Sequence, residues 1–252
     1  MSHRAALILA AGEGTRFKST LAKVLHELCG EPMLLHLLRT VEQIDLQRTV
    51  VVIGHQADRV RDACAGHPVE FVEQEEQLGT GHAVSVAREA LGSFDGGLLV
   101  LYGDVPLLRI GTLELLLDAH SQTGAAATVL TAEVDHPEGY GRVLRGESGE
   151  VSAIVEDADA SEEVRLTKEI NSGIYVFDSR KLFSVLERIR PDNRQGEYYL
   201  TDAIGLFVEH GERVAAVRTE DAAEISGINT PEQLAEAEAI LRSRVGASRK
   251  YR

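Results

Sequence analysis

The stretch Ala5-Ala6-Leu7-Ile8-Leu9-Ala10-Ala11-Gly12-Glu13-Gly14-Thr15-Arg16-Phe17 decides the fold. Residues 5–11 form an apolar run too short for a lone helix, which reads as a strand buried on both faces. The run is at the short limit for a secretory signal and passes into Gly12-Glu13-Gly14 without a clean cleavage region. The segment after it is a phosphate-type loop. Gly12 and Gly14 lack a Cβ and let backbone N–H groups approach a phosphate, and Arg16 and Lys23 add positive charge. Phe17 stands where a dinucleotide fingerprint needs a third Gly, which weakens a Rossmann dehydrogenase reading. A P-loop would need Gly-Lys-Ser/Thr, which is absent. On these residues alone, a merely structural strand-to-helix turn is an equal alternative.

Working outward, short apolar runs at 5–10, 49–53, 69–72 and 97–101 read as strands. Between them, 33–44, 57–65 and 82–91 carry apolar residues at helical spacing. Alternating strands and helices predict a parallel sheet covered on both faces, with ligands beyond the carboxyl ends of the strands. After about residue 125 the rhythm becomes strand-rich (126–134, 141–144, 151–155, 173–177), which suggests a mixed or antiparallel lobe appended to the first. Helical patterns return at 180–189, at 199–208 and after Thr230, which suits an N-cap followed by Pro231 and Gln233. The basic tail 242–252 is expected to fray or lead elsewhere. The expected organisation is a two-lobed domain over 1–229, divided as 1–124 and 125–229, with a C-terminal helix and tail at 230–252.

The 252 residues include 40 Asp and Glu against 26 Lys and Arg, a net charge of −14 that argues against nucleic acid or an anionic membrane as partner. No stretch approaches the roughly 18 apolar residues of a membrane span. Cys29 and Cys64 are too few for a disulfide framework and not spaced as metal ligands, so both are expected reduced and buried in a cytoplasmic protein.

Other positions carry chemistry. Asp104 follows the 97–101 strand, where a carboxylate suits Mg²⁺ or, more plainly, caps the next loop. Gln74, Gly79 and Thr80 fall in a polar loop before a helix. A Gln amide there matches a base edge, or Thr80 is simply an N-cap. Gly141, Glu156 and Asn171 come from the strand-rich half, a carboxylate and an amide suited to sugar hydroxyls, or turn residues only. His26, His55 and His82 match no metal spacing and are expected to be structural. Glu73, Glu75 and Glu76 read as a solvated loop.

The loop from Leu9 to Arg16, followed by Leu21-Ala22-Lys23-Val24-Leu25-His26, resembles the signature of sugar-1-phosphate nucleotidyltransferases. The Lys-Val-Leu-His ending is similar to the uridylyltransferase domain of the bacterial bifunctional N-acetylglucosamine-1-phosphate uridylyltransferases. The resemblance continues through Glu76-Gln77-Leu78-Gly79-Thr80-Gly81-His82-Ala83, Tyr102-Gly103-Asp104-Val105-Pro106-Leu107 and Gly139-Tyr140-Gly141-Arg142. It runs on through Ile154-Val155-Glu156, Glu169-Ile170-Asn171-Ser172-Gly173, Gly196-Glu197-Tyr198-Tyr199-Leu200-Thr201-Asp202 and Gly227-Ile228-Asn229. It implies a Rossmann-like, three-layer nucleotide-diphospho-sugar transferase fold with a mostly parallel central sheet. It also implies an enzyme that makes UDP-N-acetylglucosamine and pyrophosphate from UTP and N-acetylglucosamine 1-phosphate, feeding cell-wall synthesis. By resemblance Mg²⁺ sits on Asp104 and Asn229, and Arg16, Lys23 and Asp104 are catalytic. Leu9, Ala10, Ala11, Gly12, Gly14, Tyr102, Gly103 and Asn229 then contact substrate. Gln74, Gly79 and Thr80 read uracil, and Gly141, Glu156 and Asn171 hold the sugar.

Two departures stand out. Ala22 occupies a usual Pro position, so a looser loop is expected before Lys23, and Ala158 occupies a frequent Lys position. The bifunctional members continue into hexapeptide repeats, absent from these 252 residues, so neither acetyl transfer nor that domain's trimer is implied. The alternatives are a different nucleotide or sugar, or a non-catalytic nucleotide-sugar binder.

Overall fold

Strand β1 (Arg4–Leu9) is central because nearly every side chain in it is apolar, so it can be buried on both faces. A computed structural model describes the backbone of residues 3–250 and the side chains through Arg244. After β1 come a short hairpin, β2 (Glu27–Leu28) and β3 (Glu31–Pro32), then helix α1 (Met33–Val41). The pattern continues with β4 (Arg48–Ile53), α2 (Ala57–Ala63), β5 (Glu70–Glu73), α3 (Thr80–Val86), α4 (Arg88–Leu91), β6 (Gly97–Tyr102) and α5 (Ile110–Thr123). The second half holds β7 (Ala127–Glu133), β8 (Arg142–Arg145), β9 (Val151–Val155), α6 (Glu162–Arg165), β10 (Glu169–Asp178) and α7 (Ser179–Leu186). It closes with α8 (Asp202–Glu209), β11 (Val214–Thr219) and α9 (Pro231–Lys250).

The main sheet runs in the order β11-β7-β10-β6-β1-β4-β5. Strands β6, β1, β4 and β5 pair in parallel, β10 runs antiparallel to both β6 and β7, and β11 is parallel to β7. The hydrogen-bonded sheet therefore runs unbroken across residue 125, and β8 and β9 extend it as a side ribbon on β10. Alternation along each strand sends side chains to opposite faces. Ala5, Leu7 and Leu9 pack with α3, α7 and α8, while Ala6 and Ile8 pack with α1, α2 and α5. That makes the expected three layers. The chain moves from β1 to β4 on one side and returns to β6 on the other, so the carboxyl ends of β1 and β6 open onto a switch-point crevice.

Several local expectations change. The predicted helix over 82–91 is two pieces, α3 and α4, broken at Ala87. Helix α5 and strand β11 lacked a clear pattern. Leu115 is 64% exposed beside the buried Leu113, Leu116 and Leu117, which blurs the helical period. β11 is a half-buried edge strand of small residues. The basic tail does not fray at Arg242, because the backbone stays helical to Lys250. Leu234, Ala237, Ile240 and Leu241 anchor that helix on Phe17, Leu28 and Met33, and Arg244 donates to the Leu107 carbonyl at 2.6 Å. Residues 251 and 252 lie outside the described part. Thr230 does cap α9, accepting from Gln233 N at 3.2 Å, but the Gln233 side chain reaches Asn229 N instead of the Thr230 amide. Cys29 is exposed rather than buried, on a left-handed turn, while Cys64 is buried and its thiol is pushed up to about 11. No helix among the described residues is long and apolar enough to cross a membrane.

Candidate active site

Two cavities flank the crevice and share Tyr102 and Asp104. The first, about 210 Å³, is bordered by Leu9, Ala10, Ala11 and Gly12 at the end of β1, with Gln74, Gly79 and Thr80 opposite. The second, about 200 Å³, is bordered by Arg16, Gly139, Tyr140, Ser172 and Asn229.

The charged centre lies at their junction. Lys23 is ion-paired with Asp104, and its Nζ also donates to Asn229 Oδ1 at 2.7 Å. Arg16 donates to the same oxygen at 2.7 Å. The backbone places these groups: Ile228 N donates to the Asp104 carbonyl at 2.9 Å, which brings the 227–229 loop beside the end of β6. Gly227 leaves the room between them, since a Cβ there would lie 3.3 Å from Asp104 Oδ2 and 3.6 Å from Asn229 Nδ2. Asp104 offers a carboxylate and Asn229 an amide oxygen, donors of the hard type that Mg²⁺ takes beside phosphates and water, and here Lys23 pairs with the former while Lys23 and Arg16 donate to the latter. No group of three or more His, Cys, Asp or Glu side chains converges as a metal cluster among the described residues.

The loop glycines divide their work differently from the sequence expectation. A Cβ on Gly12 would meet only open space, so this backbone is open to the cavity. Gly14 has φ 73° and its missing Cβ would sit 2.5 Å from Lys23 Cβ, so it seats the Lys23 stem. Gly103 is less tight, its missing Cβ 3.0–3.3 Å from Val24, Leu34 and Ala10 side chains. The loop before Lys23 is not loose. Ala22 N donates to Gln56 Oε1 at 3.1 Å, and Gln56 Nε2 donates to the Thr20 carbonyl at 2.6 Å. A proline at 22 would have no N–H to offer Gln56. His26 stacks on Phe17 with ring centroids 4.1 Å apart, and burial lowers its pKa from 6.5, in keeping with a structural role.

In the first cavity, Gln74 is buried, and its Nε2 faces the Gly79 carbonyl at 3.2 Å and His82 Nδ1 at 3.0 Å. Thr80 is not the N-cap of α3; that position is Gly79, with φ 111°. Thr80 Oγ1 instead accepts from Leu200 N at 3.0 Å, while Tyr198 N donates to the Leu78 carbonyl and Gly81 N to the Tyr198 carbonyl. Residues 198–200 thus strap the 78–81 loop in place. Glu75 and Glu76 lie exposed in the loop as expected, whereas Glu73 ends β5 and pairs with Arg61 at 3.1 Å.

Gly141, Glu156 and Asn171 are brought together. A Cβ on Gly141 would lie 3.3 Å from Glu156 Oε2 and 3.4 Å from Asn171 Cβ. Asn171 Oδ1 accepts from Tyr175 OH at 2.8 Å and Gly173 N at 3.0 Å. The trio borders neither cavity directly, lying behind Tyr102, whose ring packs on Gly173 where β10 bulges. Glu156 follows the end of β9 and accepts from Thr201 Oγ1 at 2.9 Å. Burial raises its pKa above the usual carboxylate range, with Asp202, Asp159 and Glu197 adding to the rise. Arg142, almost wholly buried, pairs with Asp157 at 3.1 Å beneath this trio. Gln56, Thr201, Gly227 and Gln233 were missed as site residues. The last three lie within or beside the quoted motifs, whereas nothing local to Gln56 pointed to the loop.

The MobA-like NTP transferase domain model matches residues 6–204. The chain is 50% identical over 245 residues to the bifunctional protein GlmU of Brevibacillus brevis, covering 97% of this chain and 53% of that protein. It is 50% identical over 240 residues to the same-named protein of Streptococcus gordonii, covering 95% and 52%. The chain therefore spans about half the length of the curated relatives it matches. Among solved structures, UDP-glucose pyrophosphorylase complexed with UDP-glucose superposes with a TM-score of 0.78 at 19% identity, over 96% of this chain and 99% of that one, which shows the same fold. The chain belongs to the family of MobA-like NTP transferase domains.

Proposed function

We propose that this chain transfers a uridylyl group from UTP to N-acetylglucosamine 1-phosphate, giving UDP-N-acetylglucosamine and pyrophosphate, in the cytoplasm. The carrying observation is the junction where Arg16, Lys23, Asp104 and Asn229 meet between two adjoining cavities. The match to MobA-like NTP transferase domains over residues 6–204 supports nucleotidyl transfer here. The division into a nucleotide lobe (1–124) and a sugar lobe (125–229) is proposed on the same ground, since the first cavity draws mainly on the former.

A sugar-phosphate oxygen attacks the α-phosphorus, the bond from that phosphorus to the bridging β-oxygen breaks, and pyrophosphate leaves with the electron pair. A phosphomonoester is already largely ionised at neutral pH, so no general base is required. Catalysis then rests on positioning and on neutralising charge. Gly12 brings backbone to the triphosphate, and Arg16 and Lys23 face the charge that builds on the departing pyrophosphate. Tyr102, shared by both cavities, holds the two substrates in line. Glu156 and the Asn171 amide take sugar hydroxyls. Asp104 and Asn229 would hold Mg²⁺, which supplies further neutralisation of the phosphate charge.

The test is pyrophosphate release across four nucleoside triphosphates and several sugar 1-phosphates. Turnover with UTP and N-acetylglucosamine 1-phosphate is expected to exceed every other pair. Activity confined to dTTP and glucose 1-phosphate would overturn the reading.

A further inference from the structure

Gln74 is a buried primary amide, and such an amide must find acceptors for both of its N–H bonds. Here they are the Gly79 carbonyl, 3.2 Å away, and His82 Nδ1, 3.0 Å away. A carbonyl can only accept, which decides that the nitrogen of Gln74 faces Gly79. The second contact follows: His82 Nδ1 accepts, so the imidazole is neutral with its proton on Nε2. Were the amide turned over, its oxygen would face the Gly79 carbonyl, oxygen against oxygen, and that hydrogen bond would be lost. Both amide hydrogens being engaged, Oε1 is the group left to meet a base in the first cavity, which Gln74 borders.

The geometry points to His82 as a specificity-determining positioning residue: by locking the Gln74 amide, it makes the base site an acceptor that takes pyrimidines bearing an N3–H and rejects those with an N3 lone pair. Uracil and thymine present that N–H, and cytosine presents a lone pair. The inference rests on the nucleotidyltransferase reading for its ligand class. His82 sits in the first half of α3, whose entry is strapped by Tyr198 and Leu200, so its ring is held relative to Gln74 by backbone bonds of its own.

The experiment compares wild type with His82→Phe, which keeps a ring and removes the acceptor, and His82→Asn, whose Oδ1 restores one. Calorimetry measures affinity for UDP and CDP, and pyrophosphate release measures kcat/KM for UTP and CTP. Loss of one hydrogen bond predicts a fall in the UDP-over-CDP preference of about 10-fold in His82→Phe, recovered in His82→Asn. An unchanged preference in His82→Phe overturns the inference, as does an equal loss for both nucleotides, or no recovery in His82→Asn. Should His82→Phe fail to fold, His82→Ala is read in the same way. Wild type that binds UDP over CDP yet releases no pyrophosphate would sink the proposed reaction and leave the role of His82 still decided by the binding data.

Discussion

Lys23 Nζ donates to Asn229 Oδ1 at 2.7 Å across 206 positions of sequence. Arg16 donates to that same oxygen, and Lys23 is also ion-paired with Asp104. Two cations on one amide oxygen beside one carboxylate leave positive charge turned toward the junction of the cavities, which is where a chain of net charge −14 can hold a phosphate.

Removing that charge should be felt in turnover. Lys23→Ala and Asp104→Ala are each expected to lower kcat for pyrophosphate release by ~10²–10³-fold at saturating substrates. Rates near wild type would show that the junction is not the reacting centre.

The loop ahead of Lys23 depends on Gln56 through the Ala22 amide and the Thr20 carbonyl. Gln56→Ala should lower kcat by roughly 10-fold or more through misplacement of Lys23. Ala22 has φ −54°, which a proline ring accepts, so adding Ala22→Pro to that variant should restore much of the lost rate. No recovery would mean that Gln56 acts other than by stiffening the loop.

Thr201 is buried and donates to Glu156 at 2.9 Å. Thr201→Val is expected to raise KM for the sugar phosphate by about 10-fold with KM for UTP unchanged, and Thr201→Ser to reverse it. Equal rises for both substrates would point to a general loss of packing instead.

Burial lowers the His120 pKa from its ordinary 6.5, and the ring lies 3.0 Å from Thr128 Oγ1. The unfolded chain then binds more protons than the folded one, so this contribution is full above pH 6.5 and is lost as pH falls through the folded value. Glu156 and Asp202, raised by burial, act with the opposite sign and stabilise as pH falls through their own folded values. Urea midpoints between about pH 7 and about pH 5.5 should therefore fall less in His120→Gln than in wild type. Parallel curves would rule His120 out.

Much was legible beforehand because it is local. The apolar run of β1, the strand endings before Gly12 and before Asp104, and the cap at Thr230 all follow from residue type and short-range geometry. Helix α5 and strand β11 were hidden because Leu115 breaks the amphipathic pattern and because Ala215 and Ala216, inside β11, have weak strand preference. Gln56 was hidden for a different reason, since a half-buried glutamine at a helix start has no pattern that announces a distant backbone partner.

The sequence by itself determined the alternation of strands and helices, the Gly-rich turn after β1 and the residue types available for phosphate, base and sugar. Local periodicity and backbone stereochemistry suffice for that. Only the tertiary structure decided that one sheet runs through both halves, that Asn229 meets Lys23, and which way the Gln74 amide faces. Each of these depends on contacts between segments far apart in the chain, where pairing partners, and not residue type, decide the outcome.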